Sequence, residues 1–304
     1  MNKTKTSLGS SLLLFLAAFI WGVAFVAQSV GMEHMGPFTF NGARFLLGSA
    51  VLVPVILFRD MRTDFGAEEL PEKEIRQKRK HLLTAGISCG LVLCLASLFQ
   101  QMGLKYTTVG KAGFLTTLYI IIVPVLGIFM KKKIGGRVWT GALIAVAGMY
   151  LLCVTESFSV GRGDFLVLIC ALLFAGHILV IDHFSPGTDS VKLSALQFLV
   201  SGIVCTVLAF LFEEPSWKAL LSGALPVLYA GVLSCGVAYT LQVVGQKKVE
   251  PTVASMILSM ESVVSVLAGW LLLGQRLSVR ELAGCVLVFA AVILVQLPEK
   301  KKQI

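Results

Sequence analysis

Ten apolar runs, each long enough to cross the hydrocarbon core of a bilayer, set the limits on what this chain can fold into. A spanning helix rises 1.5 Å per residue and needs roughly 17–25 residues. Runs of that kind occupy residues 8–28, 37–58, 81–101, 111–130 and 138–154, and then 164–181, 193–212, 222–244, 252–273 and 279–297. Lipid offers no hydrogen-bond partner to a backbone N–H or C=O, so segments of this length must satisfy their own backbone as helices. The expected fold is therefore an all-α integral membrane protein with ten transmembrane helices. Only 14% of the 304 residues are charged, too few to clothe a soluble domain, and they cluster between the apolar runs.

Where the charges cluster predicts orientation. With the amino terminus on the cytoplasmic side, nineteen Lys and Arg residues fall inside, among them Arg59, Lys78, Lys131, Lys192, Lys247 and Lys302. Six fall outside (Lys105, Lys111, Arg162, Lys218, Arg276 and Arg280), and Arg44 lies within a span. That asymmetry follows the positive-inside rule and requires an even number of spans, with both termini cytoplasmic. Lys3 and Lys5 before the first apolar run look like the start of a secretory signal, but the run is long and nine more follow, so it reads as an uncleaved first span. The net charge of +9 is thus accounted for by loops, and nucleic acid is excluded as a partner because no basic face carries base-reading or stacking side chains. The segment from Arg59 to Lys80 reads as a short surface helix or a flexible cytoplasmic loop that anchors the topology. Seven cysteines, all within apolar runs, read as small packing residues and not as a disulfide framework or metal site.

The chain also matches itself. A shift of 142 residues pairs Gln100 with Gln242, Gly103 with Gly245, Ala112 with Ala254, Tyr119 with Glu261 and Gly127 with Gly269. A shift of 154 pairs Ala17 with Ala171 and Gly22 with Gly176, and a shift of 153 pairs Arg44 with Gln197 and Phe45 with Phe198. Two repeats follow, 1–155 and 156–304, each of five helices. Five is odd, so the second copy enters the membrane from the opposite face, giving two inverted five-helix repeats around a pseudo-two-fold axis in the membrane plane. Such halves can exchange conformations, so a site at their seam opens first to one side and then to the other.

Several short motifs carry a family resemblance: Trp21-Gly22, Arg44-Phe45, the run Gly110-Lys111-Ala112-Gly113-Phe114-Leu115, and the stretch from Met260-Glu261 to Leu271-Leu272-Leu273-Gly274. With them the chain resembles, over nearly its whole length, the drug/metabolite transporter superfamily in its ten-helix EamA-type branch, closest to bacterial members. The resemblance implies a secondary transporter in the cytoplasmic membrane, moving an amino-acid-like or other small organic solute, in the export direction, through a cavity shared by the two halves. Uptake, exchange or drug efflux on the same fold is the alternative. It implies no cofactor and no metal, and as partners a small-molecule solute, membrane lipid and a second copy of the chain. Family members often have Pro after the intramembrane Glu and an acidic residue after the terminal Gly, where this chain has Ser262 and Gln275. Neither difference identifies the solute, because fold does not fix ligand.

The candidate site residues are the polar and aromatic ones at bilayer depth. Glu261 lies halfway along the ninth run, on one face with Ala254, Ser265 and Ala268. An ionised carboxylate there costs about 3 kcal/mol or more, so it faces the bundle interior, is paired, or carries a proton. It reads as a substrate or proton-coupling site, or as a hydrogen-bonded packing residue. Tyr119 occupies the equivalent place in the fourth run, with Pro124 after it to bend the helix, and the two should meet across the pseudo-axis. Trp21 sits too deep for an interfacial belt and reads as cavity wall. His177, one residue past the repeat partner of Gly22, reads first as a hydrogen-bonded packing residue and second as a ligand contact. Arg44 lies about two turns from the outer end of its span, so its first reading is a side chain snorkelling to the headgroups. Its second is an anion clamp, or a pair with Glu33 or Glu261. Gln100, Gln242 and Tyr239, with Asn41 and Gln197, supply neutral polarity for orienting a polar solute or for holding helices together. Ala18 and Gly22, Gly86 and Gly90, and Ala171 and Ala175 have the four-residue spacing of close helix contact.

Other function classes fare worse. Gly86-Ile87-Ser88-Cys89-Gly90 fits a nucleophile elbow with His177 as its base, but that motif needs a strand-to-helix turn. A membrane sensor would be expected to carry a soluble output domain, and the longest hydrophilic stretch is about twenty residues. The carboxy-terminal Lys301-Lys302-Gln303-Ile304 resembles a dilysine retrieval signal, and a positive-inside tail explains it more simply.

Overall fold

A computed structural model describes residues 8–63, 71–107, 109–131, 134–153, 161–273 and 278–296. Gly274, Gln275, the junction between the repeats at 155 and 156, and the carboxy-terminal lysines lie outside the described residues, as do the side chains of Gly110 and Lys111. Among the described residues every regular element is a helix. The first half holds α1 (Leu8–Gly31), α2 (Pro37–Thr63), α3 (Glu72–Leu104), α4 (Val109–Thr117), α5 (Tyr119–Phe129) and α6 (Gly136–Cys153). The second holds α7 (Arg162–Phe184), α8 (Ser190–Phe212), a surface turn α9 (Trp217–Ser222), α10 (Ala224–Leu228), a π-helix (Tyr229–Tyr239), α11 (Thr240–Gln246), α12 (Pro251–Leu258), α13 (Met260–Leu273) and α14 (Val279–Gln296). Eight helical stretches are long and apolar enough to span a bilayer, counting α4 with α5, α10 through α11, and α12 with α13 as one each; Gly136–Leu151 is a shorter apolar helix. With α14 these are the ten expected spans.

Four expected segments take a different form. The third helix begins at Glu72, nine residues before the apolar run, so the last part of the Arg59–Lys80 connection is a continuous extension of the span and not a separate surface helix or loop. The fourth and ninth spans are each broken, at Leu118 and at Ser259. The eighth contains eleven residues of π-helix.

The outward faces are apolar, as lipid demands. Ile87, Leu91 and Leu95 form an exposed stripe along α3, Leu199, Ile203, Val207 and Phe210 along α8, and Leu282, Val286, Phe289 and Ile293 along α14. Spacings of three and four keep each stripe on one helical face. The interior carries the small and polar residues: Asn41, Gln101, His177, Ser194, Gln197 and Gln246 are fully buried. In lipid there is no hydrophobic drive between helices, so close packing and interhelical hydrogen bonds supply the cohesion.

Equivalent helices of the two halves lie against each other, α2 on α8 and α6 on α14, and the remaining large interfaces come in exchanged pairs, α3 on α7 matched by α1 on the π-helix and α11. The α2–α8 pair is antiparallel. At one end the Glu213 carboxylate, just past α8, accepts from Phe38 N at 2.9 Å, Thr39 N at 2.8 Å and Thr39 Oγ1 at 2.6 Å. At the other end Arg59 pairs with Asp189 at 3.0 Å and Lys192 with Asp60 at 2.8 Å, while Asp189 caps α8 through Val191 N and Lys192 N. In α6 and α14, Gly148 packs on Gly284 and Gly141 on Val295, again antiparallel. Antiparallel contact between equivalent helices is what an inverted pair of repeats requires. Midway, Phe45 and Phe198, the partners found by the 153-residue shift, stack at 6.1 Å with 11° between their rings.

Glu213 makes a testable contribution here. It satisfies amide donors that the first turn of α2 leaves open, a role in which loss of the side chain costs about 1–3 kcal/mol. Glu213→Ala should lower the thermal midpoint of the purified protein by several degrees, and an unchanged midpoint would show that the carboxylate adds nothing to the fold.

Candidate functional site

The two helix breaks define the site. At Ser259 the chain turns between α12 and α13, and Glu261 follows as the second residue of α13; at Leu118 it turns between α4 and α5, and Tyr119 opens α5. The local sequence explains both. Buried serines descend the ninth span, and each hydroxyl turns back on a carbonyl three residues earlier: Ser255 to Thr252 O, Ser259 to Met256 O, Ser262 to Ser259 O and Ser265 to Ser262 O, all within 2.7–2.8 Å. Side chains that compete for helix carbonyls loosen and bend a helix. The Ser262 backbone N–H and hydroxyl both reach the Ser259 carbonyl, at 3.1 and 2.8 Å. In the fourth span Thr117 Oγ1 donates toward Gly113 O and Phe114 O at 3.0 Å, while Pro124 contributes no amide hydrogen.

Across the seam Tyr119 Oη donates to Glu261 Oε1 at 2.9 Å, and both side chains are buried. The hydrogen bond therefore ties one broken helix to the other, between positions that the 142-residue shift made equivalent.

Around this pair is a cavity of about 40 Å³. Trp21, Phe25 and Gln28 line it from one face of α1, at spacings of four and three; Phe174, His177 and Ile178 line it from α7, and Ser234, Tyr239 and Gln242 from the eighth span. Arg44, Gln100, Thr116 and Leu258 complete the wall with Tyr119 and Glu261. Eight of the ten side chains singled out in the sequence, Trp21, Arg44, Gln100, Tyr119, His177, Tyr239, Gln242 and Glu261, thus face one space, and Asn41 and Gln197 are not among its lining residues. Volume for one water is about 10–15 Å³, so this space has room for roughly two to four waters.

The aromatic wall is held from several directions. Trp21 and Tyr239 meet at 4.5 Å between centroids, and Trp21 Nε1 donates to Ser234 O at 3.2 Å. His177 Nε2 lies 3.1 Å from Gln197 Oε1, and the His177 and Phe198 rings meet Tyr239 edge-on at 6.0 and 5.6 Å. Gln100 Nε2 donates to Thr116 Oγ1 at 3.3 Å, so this glutamine both holds helices together and faces the cavity. Asn41 Nδ2 donates to Ser97 O at 3.3 Å, the interhelical contact alone. The π-helix supplies contacts that no sequence pattern announced: besides Ser234 O, Tyr229 Oη donates to Ile20 O at 3.0 Å, fastening the eighth span to α1 beside Trp21.

Arg44 corrects the first expectation made for it. It is 2% exposed and lines the cavity. Its guanidinium carbon sits 4.8 Å from the Phe45 ring centroid and 5.7 Å from that of Phe40. It forms no ion pair with Glu33 or Glu261 among the described residues. The nucleophile-elbow pentapeptide also loses its basis: Gly86 to Gly90 is uninterrupted α-helix inside α3, without the turn the motif requires.

The two halves are not in the same arrangement. A side-chain carbon added at Gly22 would meet Val264 Cγ1 at 2.7 Å and Glu261 O at 2.8 Å, whereas one added at its repeat partner Gly176 would have nothing within 4 Å. So α1 presses on the ninth span at the cavity while α7 stands off at the equivalent point.

A profile of the EamA-like transporter family matches residues 8–154 and, a second time, residues 161–297. This chain belongs to the EamA-like transporter family. It is 28% identical over 285 residues to an uncharacterized transporter of Archaeoglobus fulgidus, an alignment covering 93% of this chain and 84% of the relative. It is 22% identical to the uncharacterized transporter YoaV of Bacillus subtilis, covering 90% and 92% of the two. With the uncharacterized inner membrane transporter YedA of Escherichia coli it shares 25% identity, covering 92% and 89%. A solved crystal structure with 19% identity superposes with a TM-score of 0.75 over 94% of this chain and 96% of that one, and shares the fold. The protein is therefore a multi-pass membrane protein of a transporter family.

Proposed function

We propose that this EamA-family protein is a secondary transporter that moves a small polar organic solute across the bacterial cytoplasmic membrane by alternating access, in the export direction, with both termini cytoplasmic. The observation that carries the reading is the hydrogen bond from Tyr119 to Glu261, which joins two broken helices from opposite halves at the wall of a shared cavity. Helix irregularities at bilayer depth are tolerated where they surround a binding space. The antiparallel packing of α2 on α8 supports two inverted halves, and the tight Gly22 beside the open Gly176 supports an equilibrium between two unequal arrangements. The solute occupies an enlarged form of the cavity, against Trp21 and Tyr239, with Gln100, Gln242, His177 and Tyr119 as its polar contacts. Glu261 couples movement to a proton.

The test is a flux screen with the purified protein in liposomes, across amino acids, nucleosides, sugars and organic cations, with and without a proton gradient. Saturable movement of a small polar solute that responds to the gradient is the expected result. Binding without flux would replace the transporter with a sensor, and inward-only flux would reverse the direction.

A further inference from the structure

Resting on the transporter reading, we propose that the solute carries a single carboxylate and that Arg44 is the group that binds it. Arg44 carries a guanidinium, a planar fork of N–H donors with no acceptor. Here it is 98% enclosed at bilayer depth, on the wall of the cavity, with no acidic side chain paired to it among the described residues and with Nε lacking any hydrogen-bond acceptor. Glu261, the carboxyl group on the same cavity wall, is committed to Tyr119. A charge taken out of water without a partner is held at a cost in stability, and such groups in membrane proteins mark substrate or ion paths.

The guanidinium carbon lies 4.8 Å from the centroid of the Phe45 ring, a cation–π distance. The guanidinium N–H donors lie in one plane and form the fork that receives the two oxygens of a carboxylate side by side. Gln197, the repeat partner of Arg44, has no such role, being joined to His177, so the second half does not duplicate the anchor.

The rest of the wall limits the anion. Glu261 faces the same space, so a second negative charge on the solute would meet a carboxyl group and not a cation. Trp21, Phe25, Phe174 and Tyr239 supply an aromatic part of the wall, beside the polar Gln28, Gln100, Thr116, His177 and Gln242. One carboxylate on a small body with an apolar or aromatic part fits these three demands together, and phosphate esters and dicarboxylates do not.

The experiment compares matched solutes on the full-length protein by thermal shift in detergent and by flux in liposomes. One set is 3-phenylpropanoate, phenylalanine, phenylalaninamide and phenethylamine; the other is 4-methylpentanoate, leucine and leucinamide. The acids, with or without an amine, are expected to raise the melting midpoint and to move, and the amides and the amine to do neither. Arg44→Gln should weaken half-saturation by the acids about a hundredfold, and Arg44→Lys, which keeps the charge but loses the fork, about tenfold. In the absence of solute Arg44→Gln should melt at or above the native midpoint, because it removes an unpaired buried charge; a purely structural arginine would give the opposite shift. Equal binding of acid and amide by the native protein, or unchanged half-saturation in Arg44→Lys, would overturn the proposal even if Arg44→Gln does not fold. Acids that bind through Arg44 without crossing the membrane would keep the anchor and sink the transporter reading; amides or amines that cross would do the reverse.

Discussion

Glu261→Gln should abolish proton-driven transport while leaving solute exchange across the same membrane within a few fold of normal. Glutamine has the shape of the protonated carboxyl and still presents an oxygen to Tyr119 Oη, which now lies 2.9 Å from Glu261 Oε1. The broken ninth span should therefore keep its geometry, since the serine hydroxyls that bend it do not involve the carboxyl. What disappears is the exchangeable proton. A carboxylate crossing between states at bilayer depth is charged only at a cost of about 3 kcal/mol or more, so movement between states with the proton on is strongly preferred to movement with it off. The amide has no such choice. Gradient-driven accumulation should fall about a hundredfold, to the level of empty liposomes, whereas counterflow, in which no net proton moves, persists. Tyr119→Phe is the companion variant: it removes the donor but keeps the carboxyl, so coupling survives. Gradient-driven accumulation by Glu261→Gln at the native rate would remove Glu261 from the coupling role and leave it as a packing residue.

The spans were legible in the sequence because hydrocarbon imposes a length and a polarity that no local preference overrides, and the repeat was legible because Gln100, Tyr119 and Gly22 have partners at nearly constant shifts. The breaks within spans were not. The fourth run reads as continuously apolar, and Pro124, the one visible bending signal, lies six residues beyond the turn at Leu118. The determinant is the set of hydroxyls that take helix carbonyls, and Ser or Thr in an apolar run carries no mark of which carbonyl it will choose. The π-helix at Tyr229–Tyr239 was equally hidden, because an i→i+5 ladder has no side-chain signature of its own. Arg44 was a different case. Its depth of two turns suited snorkelling, but Leu46, Val53 and Leu57 are exposed and mark the lipid face of α2. Two residues along a helix is about 200° of rotation, so Arg44 faces away from Leu46 and into the bundle. Tracing the lipid stripe first would have turned it inward. The same tracing on α1 would have added Phe25 and Gln28 to Trp21, since all three fall on one face.

Gly176→Leu should cut transport at least about fivefold while leaving the protein folded as it is described here. The argument rests on the inequality of two positions that the repeat makes equivalent. In the present arrangement Gly22 admits no side chain, with Val264 Cγ1 and Glu261 O both closer than 3 Å to where a Cβ would sit, and Gly176 has open space. If the halves exchange arrangements, the contact now made by α1 on the ninth span passes to α7 on the fourth, and Gly176 becomes the tight position. A leucine there is accommodated in one state and overpacked in the other. Overpacking costs about 1–3 kcal/mol, which biases a two-state equilibrium roughly 5- to 150-fold toward the arrangement with room. Gly22→Leu carries the bias the other way, because it clashes in the arrangement described here and is relieved on exchange. Hydrogen exchange on the two purified variants separates this from simple misfolding: amides along α1 and α7 should shift in opposite directions in the two proteins, with solute flux reduced at least fivefold in both. Shifts in the same direction, or native flux by Gly176→Leu, would mean that the difference between Gly22 and Gly176 is a fixed asymmetry of packing, and that the two halves do not trade places.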